Sequence, residues 1–343
     1  MLLFPLLAIA LSASTTPESV ILHIQDEIRA GDLVRAQADV STALENDPKN
    51  GGLYNLRGIV HANRNELKDA AGDFERAARF SPGLEGARLN LEKALLALAH
   101  QAEDQHDLQG ALGYLAQLRD LKPNDGSVHF FFGVVCIQLN LVVEAKKSLD
   151  RALQLAPANP WYNYARGSVE LQGRAAWQAI PYFKKAIAAS PDDPRARFAL
   201  GVAEFASQDY EAAKKDLALV AGRKETAGGA QYILGRIAKA ESDWNAATRH
   251  LAASIAAEPN YADSHAELGL ARLHLGDIPA ARQEIEQALR LDPNSYLANR
   301  DLLALYERTK DPLAAAQRQK LGQLESQRVE RQDLMLRTIK VIR

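Results

Sequence analysis

Along most of this chain, apolar residues recur three and four positions apart in stretches of about a dozen residues separated by short polar turns. That period belongs to amphipathic α-helices packed on one another, and no stretch alternates with the period of two that a strand needs. The helices come in pairs. The first of a pair centres its apolar face on a small residue, as in Phe132, Gly133 and Cys136 or Leu200 and Gly201 within Phe198 to Phe205. The second carries an alanine, a large apolar residue four on and a further small residue, as in Ala145, Leu149 and Ala152. Gly31-Asp32, Gln208-Asp209, Ser242-Asp243 and Gly276-Asp277 stand between the two helices, with the aspartate placed to cap the second. A proline closes the pair, because it lacks an amide donor and its ring cannot continue the spiral.

The pairs are periodic. Pro48, Pro82, Pro123, Pro157, Pro191, Pro259 and Pro293 are separated by 34, 41, 34, 34, 68 and 34 residues, a period of 34 with one insertion and one missing proline. Ala36, Ala70, Ala111, Ala145, Ala179, Ala213, Ala247, Ala281 and Ala315 form a second series in the same register. Twelve residues before many of these alanines stands a glycine, namely Gly58, Gly133, Gly167, Gly201, Gly235 and Gly269. Four residues after them stand Phe74, Leu115, Leu149, Phe183, Leu217, Leu251 and Ile285. Two crossing helices approach closely only where a Cβ is absent or tiny, so the glycine and the alanine mark their contact. The pattern departs at its ends, with Ile24 and Leu303 at the glycine position and Gln319 at the large apolar one. Seven extra residues between Gly83 and Pro123 predict a longer helix around Leu89 to Ala102. Glu225, flanked by Gly222, Gly228 and Gly229, replaces a proline and predicts the softest joint, and Pro181 predicts a kink inside a second helix.

This order of small and large residues at a period of 34 resembles the tetratricopeptide repeat, over about residues 17–327. The resemblance implies an all-α, right-handed superhelical solenoid of about nine helix-turn-helix repeats with a C-terminal capping helix. It also implies a concave surface lined by the first helix of each repeat. The positions that would line it are Phe130, Val134 and Ile137, then Trp161, Tyr164 and Leu171, then Phe198, Val202 and Phe205, and finally Tyr232, Arg236 and Lys239. Asn55, His100 and Glu103 would stand towards one end, and Arg300 beside Arg236 and Lys239 towards the other. Either these side chains form an apolar cleft for a peptide or amphipathic helix, with Phe130, Trp161, Tyr164 and Phe198 as anchors, or they fold sideways between repeats or under a neighbouring chain. The lysine and asparagine set with which some relatives hold chaperone C-termini is absent from any three consecutive repeats.

Charge and chemistry narrow the reading further. With 41 Lys and Arg against 43 Asp and Glu, the chain lacks the basic footprint of a nucleic-acid glove. The single cysteine, Cys136, excludes a disulfide framework and sits on a core face. His100, Glu103, Asp104 and Asp107 share one helical face that could grip a divalent ion, although a solvated charged face is the commoner meaning. His23, His61, His129, His250, His265 and His274 show no metalloprotease spacing, so neither a metal nor a cofactor is assigned. No phosphate loop or nucleophile elbow occurs, and the chain reads as non-catalytic.

Met1 to Ser14 is an apolar run with small residues at its end, which reads as a signal peptide and predicts export to the periplasm or outside the cell. The run is too short to span a bilayer. The tail 328–343 mixes apolar and basic residues and reads as a capping helix, a dimer contact or a membrane-surface helix. The sequence therefore predicts a protein-interaction scaffold that binds a protein or peptide in its groove. An assembly subunit of a cell-envelope complex, with the groove permanently filled, is the alternative. A base-reading helical repeat is contradicted by Phe130, Val134, Trp161 and Val202.

Overall fold

The computed structural model describes residues 16–173 and 175–328. The leader Met1 to Ser14 and the tail beyond Arg328, with the export and dimer readings attached to them, lie outside the described residues. Among the described residues every regular element is an α-helix, and no helix is long and apolar enough to cross a membrane. Packing divides the chain into two compact units between Leu155 and Ala156. No composition shift marks this division, because it falls on an ordinary turn of the 34-residue period.

The first unit holds α1 (Glu18–Ala30), α2 (Leu33–Asn46), α3 (Gly51–Asn63), α4 (Leu67–Phe80), α5 (Glu85–Asp104), α6 (Leu108–Leu121), α7 (Gly126–Gln138) and α8 (Val142–Leu155). The second holds α9 (Pro160–Gln172), α10 (Ala176–Ala189), α11 (Pro194–Ala206), α12 (Tyr210–Ala218), α13 (Ala227–Ala240), α14 (Trp244–Ala257), α15 (Ala262–Leu275), α16 (Ile278–Leu291), α17 (Tyr296–Thr309) and α18 (Ala314–Arg328). In each unit an odd-numbered helix packs on the even-numbered one that follows, and that helix packs on the next odd-numbered one. Each unit is thus a tandem stack of helical pairs, whose core runs along the stack and needs few contacts between distant parts of the chain.

The glycines sit where the sequence places the helix crossings. A Cβ added to Gly133 would stand 2.7 Å from Leu149 Cγ, one on Gly167 2.7 Å from the Phe183 ring, and one on Gly201 2.6 Å from Leu217 Cγ. Gly58, Gly235 and Gly269 meet Phe74, Leu251 and Ile285 in the same way. The alanines from Ala36 to Ala281 are fully buried. Ala315 breaks the series: it is exposed, and α18 turns Gln317 and Leu324 inward instead. The physical reason is the polar contact that α17 offers this helix. Among the described residues α18 packs chiefly on α17, where Gln317 Nε2 donates to the Asn299 carbonyl oxygen at 2.9 Å and to its Oδ1 at 3.0 Å.

The predicted caps are present, since Asp32, Asp209, Asp243 and Asp277 accept from the amides of Arg35, Ala212, Ala246 and Ala280. The residue before each cap adopts the left-handed conformation. Gly31 and Gly276 do so without a Cβ penalty, while Gln208 and Ser242 do so at φ 64° and 62°. The insertion lengthens α5 to 20 residues against 13 or 14 for its odd-numbered sisters. Helix α10 runs unbroken through Pro181. At the Glu225 junction α12 and α13 pack more sparsely than any other two consecutive helices of the second unit. Helix α12 stops after nine residues, yet Gly228 and Gly229 are not slack: a Cβ on them would meet Glu258 Cδ at 2.5 Å and the Phe198 ring at 2.7 Å. They are small so that the start of α13 can press against α11 and α14.

One periodic device was not read from the sequence. Tyr54, His129, Asn163, His265 and Asn299 occupy the same repeat position, and each hydrogen-bonds the carbonyl of the proline six residues earlier, at 2.9–3.3 Å. The proline ends one helix and leaves a carbonyl exposed to the next, and this side chain satisfies it. His129 and His265 are therefore structural latches and not scattered histidines. Several of the same side chains also reach the even-numbered helix of their own repeat, as His265 Nδ1 does with Glu284 at 2.7 Å.

Candidate functional site

The odd-numbered helices carry the expected binding positions, and the structure separates those positions into two classes. Val134, Ile137, Tyr164, Leu171, Phe198, Val202, Phe205 and Tyr232 are buried within their own units. The expected open row of apolar anchors is therefore corrected to a packed layer. In the second unit the odd-numbered helices touch one another as well as their even-numbered partners, which closes the stripe. The Phe198 ring fills the space over Gly229, and Tyr164 lies 5.7 Å from the Phe183 ring centre. Burial pushes the Tyr164 and Tyr232 phenols well above their ordinary values.

Phe130, Trp161, Arg236 and Lys239 remain accessible in part. In the first unit Phe130 packs on Phe131 with ring centres 5.4 Å apart, and His100 meets Phe131 edge-on at 6.3 Å. A cleft of about 530 Å³ opens beside them, lined by Asn65, Leu67, Leu96, His100 and Asp104 among others. His100 Nδ1 is 3.6 Å from Glu103, and His100, Asp104 and Asp107 do not converge on one point as metal ligands would. Cys136 is buried, which pushes its thiol up to about 11 and leaves it a small core hydrophobe.

In the second unit Trp161 is 36% exposed and Arg195 lies over its ring, 4.9 Å from the centroid. Asp193 holds Arg195 through two bonds of 2.8 and 2.9 Å. This pair forms one wall of a cleft of about 900 Å³ whose other walls include Pro191, Asp192, Arg223, Lys224 and Glu225. Further along, Arg236 rests over Phe205 at 4.9 Å and Tyr232 at 5.6 Å, so the buried aromatics serve as its platform. Lys224 and Arg236 have no carboxylate partner among the described residues.

Beneath these cations lies a charged layer that the sequence reading missed. Lys239 pairs with Glu267, and Arg300 Nε donates to Asp301 Oδ1 at 2.8 Å. Glu267 and Asp301 are almost fully buried and stand one period apart, which was the available signal. Burial, with Glu267 nearby, pushes the Asp301 carboxyl up to about 7 although Arg300 opposes the shift. Burial and Asp216 likewise raise Glu204 to about 7. Ser148 lies against His129 in the first unit, but both are buried and the hydroxyl donates to the His129 carbonyl oxygen at 2.9 Å. The pair is not placed to attack a substrate.

Comparison with known proteins agrees with this architecture. Two family models described as tetratricopeptide repeat match the chain, one over residues 21–85, 96–160, 232–296 and 268–318, the other over 172–226. No curated protein matches at the level of sequence. Among solved structures, a chain of the APC/C hetero-tetramer Cut9-Hcn1 superposes with a TM-score of 0.52 at 19% identity, covering 80% of this chain and 52% of its own. The present chain thus spans about half the length of that relative. PilW, a type IV pilus biogenesis factor, superposes with a TM-score of 0.55 at 19% identity, covering 62% of this chain and 98% of its own. At such identity the likeness concerns fold alone. Because the first family model by itself matches more than half of the residues, the chain belongs to the tetratricopeptide repeat family.

Proposed function

We propose that the protein is a non-catalytic interaction scaffold, and that its second unit binds an extended peptide carrying acidic side chains. The observation that carries this reading is the exposed Trp161, stacked under Arg195 at the edge of the 900 Å³ cleft, with Lys224 on the same cleft lacking a carboxylate partner among the described residues. An aromatic ring beside cations offers a peptide both apolar area and charge pairing, and such residues dominate the energy of protein interfaces. Arg236 on its aromatic platform offers a further cation on the same layer of helices. Tyr164 and Phe198, buried in the core, hold this layer in place and do not themselves touch the guest.

Export remains part of the proposal and rests on the leader Met1 to Ser14. The shared fold of PilW fits a role in the cell envelope without specifying a partner. To test the binding reading, peptides selected on the full-length protein are titrated against Trp161→Ala and Arg236→Ala. Loss of more than about tenfold in affinity for Trp161→Ala, with a salt-dependent loss for Arg236→Ala, is the expected result. Unchanged affinity in both variants refutes the assignment.

A further inference from the structure

Three side chains able to ligate a cation converge on the first repeat. His23 and Glu27 lie one helical turn apart on α1, and Asp39 faces them from α2. His23 Nε2 is 3.4 Å from Glu27 Oε1 and 3.6 Å from Asp39 Oδ2, and the three ligand atoms all lie within 4.8 Å of one another.

Exposed acidic groups gather on many helical surfaces without binding anything, but this group has a second property. The Glu27 side chain is only 10% exposed, and its Oε2 is buried without a hydrogen-bond partner. A buried carboxylate oxygen that accepts nothing is costly, and a cation bound through Oε1 of the same carboxylate offsets part of that cost by neutralising its charge. Among the described residues no lysine or arginine supplies one. Arg29 pairs with Asp26 and Arg35 with Asp32, which leaves His23 as the ion-pair partner of both Glu27 and Asp39. The contrast is the His61, Glu66 and Asp69 group on α3 and α4, where Arg64 already pairs with Glu66 at 3.2 Å and Arg57 neutralises the adjoining Asp73.

The donor set selects the class of cation, and the spacing is compatible with it. Ligands 2.0–2.1 Å from a tetrahedral zinc ion stand roughly 3.3–3.4 Å from each other, close to the two separations at His23. An imidazole nitrogen with two carboxylates suits first-row transition metals, whereas calcium and magnesium prefer oxygen alone. His23 and Asp39 also line a cleft of about 530 Å³ with Thr16, Pro17 and Asn46, so a fourth coordination position opens onto space that water or a further ligand can occupy.

We propose that His23, Glu27 and Asp39 form a binding site for a divalent transition metal of the zinc type, which ties α1 to α2. The role follows from position. The ligands come from both helices of one repeat, so a bound metal adds a bond between α1 and α2 to the packing that already joins them.

The test is titration of the full chain with Zn²⁺ by calorimetry, and with Co²⁺ by visible absorption, alongside His23→Ala, Asp39→Ala and His61→Ala. The expected result is one bound metal per chain with a tetrahedral cobalt spectrum, a rise in unfolding temperature on adding zinc, and affinity weakened by more than about tenfold in His23→Ala and Asp39→Ala but retained in His61→Ala. Circular dichroism checks that each variant is folded, which the 66% exposure of His23 favours. Absence of uptake by the unaltered chain, uptake unchanged in His23→Ala, or loss confined to His61→Ala overturns the proposal.

Discussion

Adding one methyl group at Gly201 measures how closely two helices of a repeat are pressed together. The new Cβ would stand 2.6 Å from Leu217 Cγ and 2.7 Å from Cδ2, where carbon atoms normally keep about 3.5–4.0 Å. Leu217 is fully buried, so α11 and α12 must part by roughly 1 Å or the leucine must leave its rotamer. Overpacking of this kind costs about 1–3 kcal/mol, against a gain of about 0.8–1 kcal/mol from replacing glycine inside a helix. Gly113→Ala isolates the second effect, because Gly113 lies exposed within α6 with nothing near its missing Cβ. It should stabilise the protein by about 0.5–1 kcal/mol, and Gly201→Ala should fall below it by about 1–3 kcal/mol. Urea unfolding followed by circular dichroism supplies the comparison, with hydrogen exchange on α11 and α12 to localise the loss if the repeats melt separately. A Gly201→Ala, Leu217→Ala double variant should be about 1–3 kcal/mol more stable than the sum of its parts, since the methyl enters the cavity that the leucine leaves. If Gly201→Ala gains as much as Gly113→Ala, the glycine is not a crossing point and the argument from the 34-residue series fails.

Asp243→Ala removes the acceptor for the Ala246 amide and should cost about 0.5–2 kcal/mol by urea denaturation, with exchange accelerated first at the start of α14. Glu204 and Asp301 both titrate near 7 in the folded chain, against 4.5 and 3.8 ordinarily, so folding takes up protons between those values. Stability is then greatest at the acid end of that window and falls as pH rises through 7; Glu204→Gln should flatten this slope in melts from pH 5 to 8 and raise the unfolding temperature at pH 8. Gln317→Leu removes the two hydrogen bonds that Gln317 donates to Asn299 and should cost about 1–3 kcal/mol, read as earlier melting of α17 and α18.

Helix pairing was legible because it rests on side-chain volume, and volume is written in the residue names. Gly133 and Leu149, or Gly167 and Phe183, announce a close crossing wherever they recur. Caps such as Asp209 were legible for the same reason, since their partners lie three residues away. The binding layer was not. Phe198 and Trp161 are both large aromatics on odd-numbered helices, and only the approach of neighbouring helices buries the first and leaves the second half in water. Arg236 and Lys239 carry the same kind of charge, yet one rests on rings and the other meets Glu267 from a different repeat, a distinction invisible without coordinates. Ala315 does not follow its series because α18 turns Gln317 to the polar Asn299 in its place, a pairing that spacing alone does not reveal. The latches at His129, Asn163, His265 and Asn299 were present in the sequence as a further series, hidden by variation in residue type where position alone was constant.

That latch closes a loop of six residues at the junction between one helical pair and the next, and asks nothing of any residue outside that junction. Its wiring is therefore portable. Cutting out one full period that keeps a proline with its donor, such as 164–197, or inserting a copy of it, leaves the ties at Pro48, Pro123, Pro157, Pro259 and Pro293 in place, and so the number of modules can change by whole steps while those junctions keep their chemistry.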